Sequence, residues 1–133
     1  MALKYLSPIL WTKSLEETIT FYENVLGFTS LSNFPNFVSL CNGDVQIMFV
    51  VPIEEPEDCK GPNDKGEFFP KPNLTGDIYI TTDNVDAIWD SIQGKASIKS
   101  EIADRHYLMR DFSIWDNNGY ELCFGQDISS AVE

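Results

Sequence analysis

Histidine is almost missing from this chain: His106 is the only one in 133 residues. That takes away the side chain most often used as a metal ligand or as an acid–base group near neutral pH. Because His106 lies in a polar stretch, it reads as a surface residue. Cysteine is also scarce. Cys41, Cys59 and Cys123 are odd in number and lack CxxC spacing, which points to reduced thiols in a cytoplasmic protein rather than a disulfide framework or a zinc site. Positive charge is short, with 9 Lys and Arg against 21 Asp and Glu and a net charge of −12. Nucleic acid, which needs a basic surface, is therefore not an expected partner. An acidic field concentrates cations and permits a cationic ligand, although many cytoplasmic proteins are acidic without one. No apolar run reaches the ~18 residues of a membrane span, and the opening MALKYLSPIL lacks the charged-then-apolar plan of a signal peptide. There is no glycine-rich phosphate loop, and no Ser or Cys has a histidine at a spacing that would pair them for nucleophilic catalysis.

What is present is a pattern written twice. In residues 109–126, MRDFSIWDNNGYELCFGQ, Phe112 and Ile114 alternate with polar residues, as do Tyr120, Leu122 and Phe124. Asp116-Asn117-Asn118-Gly119 lies between the two runs. Period-two alternation around an Asn/Gly-rich connection predicts a β-hairpin. Residues 37–49, FVSLCNGDVQIMF, repeat the plan, with Asn42-Gly43 as the turn. Two hairpins of one design suggest a duplicated unit.

Residues 3–12 read as a strand, with Pro8 at an edge or bend because it has no amide hydrogen. Ser14 caps a helix, with Glu17 as its capping-box partner. Leu15, Ile19, Tyr22 and Leu26 follow at helical spacing, and Gly27 ends the helix. Residues 28–34 read as a strand before the first hairpin at 37–50. After the interval 51–76 the plan restarts. A strand at 76–82 precedes a helix at 85–93, capped by Asn84 and ended by Gly94, with Val85, Ile88, Trp89 and Ile92 on one face. A weaker strand at 97–103 and the second hairpin follow. The order is strand-helix-strand-strand-strand, twice. The expected organisation is one domain of two βαβββ modules, 3–50 and 76–126, joined by a long loop at 51–75. That connection holds five of the seven prolines, and Phe68-Phe69 gives it an apolar anchor for folding back.

In each strand, one set of side chains covers the helix and the alternate set points away. Leu10, Val38, Leu40, Ile47, Phe49, Ile78, Ile80, Phe112, Ile114, Leu122 and Phe124 form the helix-facing set. The opposite face then mixes aromatics with carboxylates, amides and hydroxyls: Trp11, Phe37, Tyr79 and Trp115 beside Ser7, Ser39, Gln46, Asp77, Asp111 and Glu121. Two tryptophans on a sheet face suit a ligand-holding surface, a dimer interface or a second core layer better than plain solvent exposure.

Two stretches carry a family resemblance: SLEETITFYENVLGF at 14–28 and RDFSIWDNNGYELCFG at 110–125. Together with the duplicated unit, they make the chain resemble the glyoxalase/bleomycin resistance/extradiol dioxygenase superfamily, the vicinal oxygen chelate proteins, over nearly its whole length. YLSPIL, FVSLCNGDVQIMF and Arg110-Asp111-Phe112 make it most similar to the small antibiotic-binding resistance proteins. The resemblance implies an α+β fold of two tandem βαβββ modules, with mixed sheets curved around a cleft and helices on the outside. It also implies a homodimer with clefts between modules of different chains, the first strand being exchanged between subunits in some members.

Enzymes of this superfamily hold a divalent metal at positions matched here by Ser7, Met48, Asp77 and Cys123. Ser7 and Met48 are poor ligands for such an ion, so neither a metal, nor another cofactor, nor a catalytic residue is expected. Cys123 reads as an inert small hydrophobe. If buried, Asp77 needs a partner, which Arg110, Tyr79 or a bound cation would supply; otherwise it forms a structural salt bridge. The expected function is non-catalytic antibiotic-resistance-type binding of a cationic, partly aromatic small molecule. Trp11, Phe37, Tyr79, Tyr107, Trp115, Asp77, Arg110 and Glu121 are the candidate binding residues, with Asp111 as a further source of charge. Phe37 matches a ring-stacking position of the bleomycin-binding relatives, but Leu108, beside Tyr107, stands where those relatives have a tryptophan. Two other readings are a metal-dependent lyase, isomerase or dioxygenase with unusual ligands, and an interaction module whose aromatic face binds protein.

Overall fold

Ser14 starts the first helix by accepting a hydrogen bond from the Glu17 amide at 3.1 Å. The return bond of a capping box does not come from Glu17. The Ser14 amide donates instead to Thr12 Oγ1 at 3.2 Å, and buried Thr12 and Thr18 share a hydroxyl contact of 2.9 Å. The chain entering the helix is thus tied to the helix's second turn by local bonds. In this computed structural model, which describes residues 2–52 and 74–131, the elements of the first unit are β1 (Ile9–Trp11), α1 (Leu15–Asn24), β2 (Thr29–Phe34), β3 (Phe37–Asn42) and β4 (Val45–Val50). Their sheet runs β1-β4-β3-β2, with β1 parallel to β4 and the other pairs antiparallel.

The expected first strand, 3–12, shortens to three residues. Pro8 offers only its carbonyl, to the Met48 amide at 2.9 Å, and regular pairing starts after it. Gly27, at φ +73°, turns the chain out of α1 through the left-handed region. The first hairpin turns at Gly43-Asp44 rather than Asn42-Gly43. Asn42 is still paired with Val45, and its side-chain amide reaches the Gly27 carbonyl at 3.4 Å. The core of this unit centres on fully buried Tyr22, whose ring meets Phe28 and Phe49 edge-on at 5.4 and 5.3 Å. Val38, Leu40 and Ile47 complete it, each such side chain contributing about 1.5–3 kcal/mol by leaving water.

The second unit repeats the order: β5 (Ile78–Thr81), α2 (Val85–Ile92), β6 (Ser97–Asp104), β7 (Met109–Trp115) and β8 (Glu121–Asp127), followed by a short 3-10 turn at Ser129–Ala131. Its sheet runs β5-β8-β7-β6, with β5 parallel to β8. Asn84 caps α2 by accepting from the Ala87 amide at 3.1 Å. Phe112 is fully buried, stacks on Phe124 at 5.4 Å and meets Trp89 of α2 at 5.1 Å. In the β7–β8 connection, buried Asp116 accepts from the amides of Asn118 and Tyr120 at 2.8 and 2.9 Å. That is how an Asp closes a turn on itself.

Two four-stranded mixed sheets, each with one helix in a βαβββ order, make the α+β vicinal oxygen chelate fold that the family resemblance implied. The chain divides into the compact units Met1–Asn73 and Leu74–Glu133. Most of the expected connection at 51–75, with Phe68-Phe69 and Cys59, lies outside the described residues. Among the described residues, no helix is long and apolar enough to cross a membrane.

Candidate functional site

Residues paired across neighbouring strands put their side chains on the same face. On the helix-free face of the second sheet this gives three rows. Glu121, Trp115 and Ser97 form the first; Tyr79, Cys123, Ser113 and Ser100 the second; Thr81, Gly125, Asp111 and Ala103 the third.

Asp111 is the centre of this face. It is only 3% exposed, and a buried carboxylate must be paired. Three donors converge on it. Arg105 Nε donates to Oδ1 at 2.8 Å, while the hydroxyls of Tyr79 and Tyr107 donate to Oδ2 at 3.0 and 2.6 Å. Arg105 Nη2 also donates to the Glu101 carbonyl at 2.9 Å, which fixes the guanidinium along β6. Burial alone would raise the Asp111 carboxyl. The hydrogen bonds from Tyr107, Arg105 and Tyr79 outweigh it and hold the group below the usual carboxylate range. The phenols respond in the opposite sense. Tyr79 is raised, first by burial and then by its bond to Asp111. Tyr107 is pushed up to about 12, chiefly by its bond to the same carboxylate.

Two local features seat these phenols. Gly125 lies under the Tyr79 ring: a Cβ there would come within 2.5 Å of Cζ and 2.8 Å of Cε1, so the ring crosses β8 only because the residue is glycine. Leu108 has φ +61°, a conformation that costs a non-glycine residue roughly 1–2 kcal/mol. It closes the β6–β7 connection, in which the Arg105 amide donates to the Met109 carbonyl at 2.8 Å. The connection thereby folds Arg105 and Tyr107 back onto Asp111.

The rest of this face is carboxylate and ring. Asp77 is exposed and has no hydrogen-bond or ion-pair partner among the described residues. Glu121 pairs with Lys99 at 2.7 Å, and the Lys99 ammonium lies 5.4 Å from the Trp115 ring centroid. Burial first, then the neighbouring charges of Asp111 and Asp77, push the Cys123 thiol up to about 12. Arg110 does not belong to this face. It shares the helix side with Phe112, pairing with Asp104 at 2.6 Å and with Asp86 of α2 at 3.0 Å. It is therefore no partner of Asp77; alternation along β7 sends neighbouring residues to opposite sides. Asp111 has its charge committed to Arg105. Arg105 is the member that the strand pattern missed, and the only hint of it in the sequence is its position six residues before Asp111, across a short hairpin.

On the first unit's helix-free face, Trp11 and Phe37 both pair with Val50 and form one half-buried apolar row. Beside it runs a polar chain: Ser7 Oγ donates to Gln46 Oε1 at 2.6 Å, and Gln46 Nε2 donates to Ser39 Oγ at 2.6 Å. The family's metal positions therefore carry an engaged hydroxyl (Ser7), a thioether (Met48), an exposed carboxylate (Asp77) and a protonated thiol (Cys123). Among the described residues, no three His, Cys, Asp or Glu side chains converge. This donor set does not fit a divalent ion.

No curated protein matches the chain. Solved structures with the same fold include TioX from Micromonospora sp. ML1, at 17% identity and TM-score 0.72, covering 93% of this chain and 98% of that one. A virulence protein from Salmonella typhimurium matches at 23% identity and TM-score 0.68 over 95% and 98%. A lactoylglutathione lyase from Agrobacterium tumefaciens matches at 16% and 0.65 over 92% of each. The model of the glyoxalase/bleomycin resistance protein/dioxygenase superfamily matches residues 3–124. The chain belongs to that superfamily.

Proposed function

We propose that this protein is a non-catalytic binding protein that sequesters a cationic, partly aromatic small molecule, in the manner of the bleomycin-resistance branch of its superfamily. The observation that carries the reading is the helix-free face of the second unit. Three partly open rings, Tyr79, Tyr107 and Trp115, stand there beside Asp77 and Glu121, in a chain of net charge −12. Rings supply stacking and cation–π surface at roughly 0.5–2 kcal/mol per contact. The exposed carboxylate of Asp77 offsets ligand charge. Lys99 over Trp115 marks where a cation sits on this face. The donor set at the family's metal positions speaks against metal-dependent lyase or dioxygenase chemistry.

The reading includes a homodimer. Leu3, Tyr5 and Leu6 are 98%, 79% and 86% exposed just ahead of the edge strand β1, an apolar segment that a second chain would cover. The test is thermal melting of metal-stripped protein against bleomycin and other cationic aromatics on one side and divalent ions on the other. A ligand bound only by the folded state raises the melting point by an amount set by RT ln(1 + [L]/Kd). A rise with a cationic aromatic, reduced in Trp115→Ala, is the expected result. A rise with one metal alone would overturn the proposal.

A further inference from the structure

The direction of the hydrogen bonds at Asp111 has a chemical consequence. Its carboxyl lies below the usual range, so it has no proton to give. Tyr79 and Tyr107 both spend their only hydroxyl hydrogen on the same atom, Oδ2. Each phenol oxygen is left with acceptor lone pairs alone, on residues 42% and 51% exposed. Sharing one carboxylate oxygen brings both phenol oxygens within 3.0 Å of a common atom. A hydroxyl that donates to an ion is also a better acceptor than a free one, because hydrogen bonds in a chain polarise one another. Arg105 on Oδ1, Gly125 beneath Tyr79 and the left-handed Leu108 beside Tyr107 hold the arrangement before any ligand arrives.

We propose that Tyr79 and Tyr107 form a paired acceptor site that selects cations bearing N–H donors, primary ammonium groups above all, with Asp111 as the positioning residue that turns both hydroxyl protons inward. The inference rests on the ligand-binding reading above and adds a requirement to it. Ring and positive charge suffice for cation–π attraction, whereas the acceptor pair demands hydrogens on the cation. An ammonium, with three N–H donors and no acceptor, satisfies both phenol oxygens at once. A quaternary ammonium satisfies neither.

Phenethylammonium and its N,N,N-trimethyl analogue have the same ring and charge and differ in their N–H groups, so they are the probes. Titration calorimetry on the intact protein should give about tenfold tighter binding of the primary ammonium, the size expected for a charge-assisted hydrogen bond on a partly open surface. Tyr79→Phe and Tyr107→Phe keep the rings and should each cut that preference several-fold. In Asp111→Asn the side-chain amide donates to the phenol oxygens and turns their protons outward, so the preference should vanish although both rings remain. If Asp111→Asn fails to fold, the Tyr79→Phe/Tyr107→Phe double variant takes its place, with loss of the preference again expected. Equal binding of both probes by the wild-type chain, tighter binding of the trimethyl probe, or a preference unchanged in the phenylalanine variants would overturn the acceptor pair and leave the cationic-aromatic reading standing. Binding of neither probe would overturn the pair together with that reading.

Discussion

Gly125→Ala tests whether Tyr79 is seated across β8. An added Cβ would fall on the Tyr79 ring, 2.5 Å from Cζ and closer still to the hydroxyl, so the ring must swing away from Asp111. The lost bond is charge-assisted. Such a bond contributes roughly 1.5–3 kcal/mol when fully buried, and about 1 kcal/mol here because Tyr79 is 42% exposed. Alanine in an extended strand returns about 0.5–1 kcal/mol through the unfolded chain. The single variant should therefore melt within about 1 kcal/mol of wild type, because the two effects oppose each other. The informative comparison is with Tyr79→Ala. There the ring is gone, and Gly125→Ala should stabilise by about 0.5–1 kcal/mol. Urea unfolding of the four proteins in this cycle should give a coupling of roughly 1 kcal/mol or more between the two sites. Additivity to within about 0.3–0.5 kcal/mol would refute the placement of Tyr79 over Gly125.

Alkaline pH should weaken the fold in a defined window. Tyr79 is raised above 10.0, Tyr107 from 10.0 to about 12, and Cys123 from 9.0 to about 12. Each group holds its proton more tightly when folded, so its contribution is complete below the ordinary value and is lost as pH rises through the folded one. Urea midpoints should stay flat up to pH 9 and fall toward pH 12, less steeply in Tyr107→Phe; a rise over that interval would contradict the assignment. Asp111 has the opposite sign, so the stability it supplies should be lost as pH falls below the ordinary carboxylate value of 3.8, an acid limb that Asp111→Asn should remove. Leu108→Gly should raise stability by up to about 1 kcal/mol by relieving φ +61°. A loss of that size would mean that the exposed leucine side chain makes a contact that outweighs the strain. Cys123 should resist iodoacetamide at pH 8 while the chain is folded and react once it is unfolded, as judged by mass mapping, since the thiolate is the reactive form; prompt native-state labelling would contradict a buried, protonated thiol.

Much of the scaffold was legible because short-range rules carry it. Ser14 and Asn84 announced their helices through their own side chains. The alternation Phe112-Ile114 and Leu122-Phe124 placed one face of β7 and β8 in the core, and a one-residue slip would have exposed it. The misreadings were local. Residues 3–12 look like a strand because they are apolar, yet pairing begins only beyond Pro8. Arg110 reads as a site cation because it is a candidate partner for Asp77 and belongs to the Arg110-Asp111-Phe112 motif. In a strand, however, adjacency means opposite faces, and α2 brings Asp86 to the Arg110 side.

The residue pattern along the chain specifies the two βαβββ units, the faces of their sheets, and the gathering of Tyr79, Trp115, Glu121 and Cys123 on one of them. Those features follow from periodicity and capping, which act over a few residues. Long-range packing is what buries and pairs Asp111, sets Arg105 rather than Arg110 on it, and carries Tyr79 to it over Gly125. These depend on strand register between β5, β8 and β7 and on one left-handed residue at Leu108. Tyr79 and Asp111 are 32 residues apart along the chain, and the hydrogen bond between them exists only because β8 lies between their strands with no side chain at Gly125.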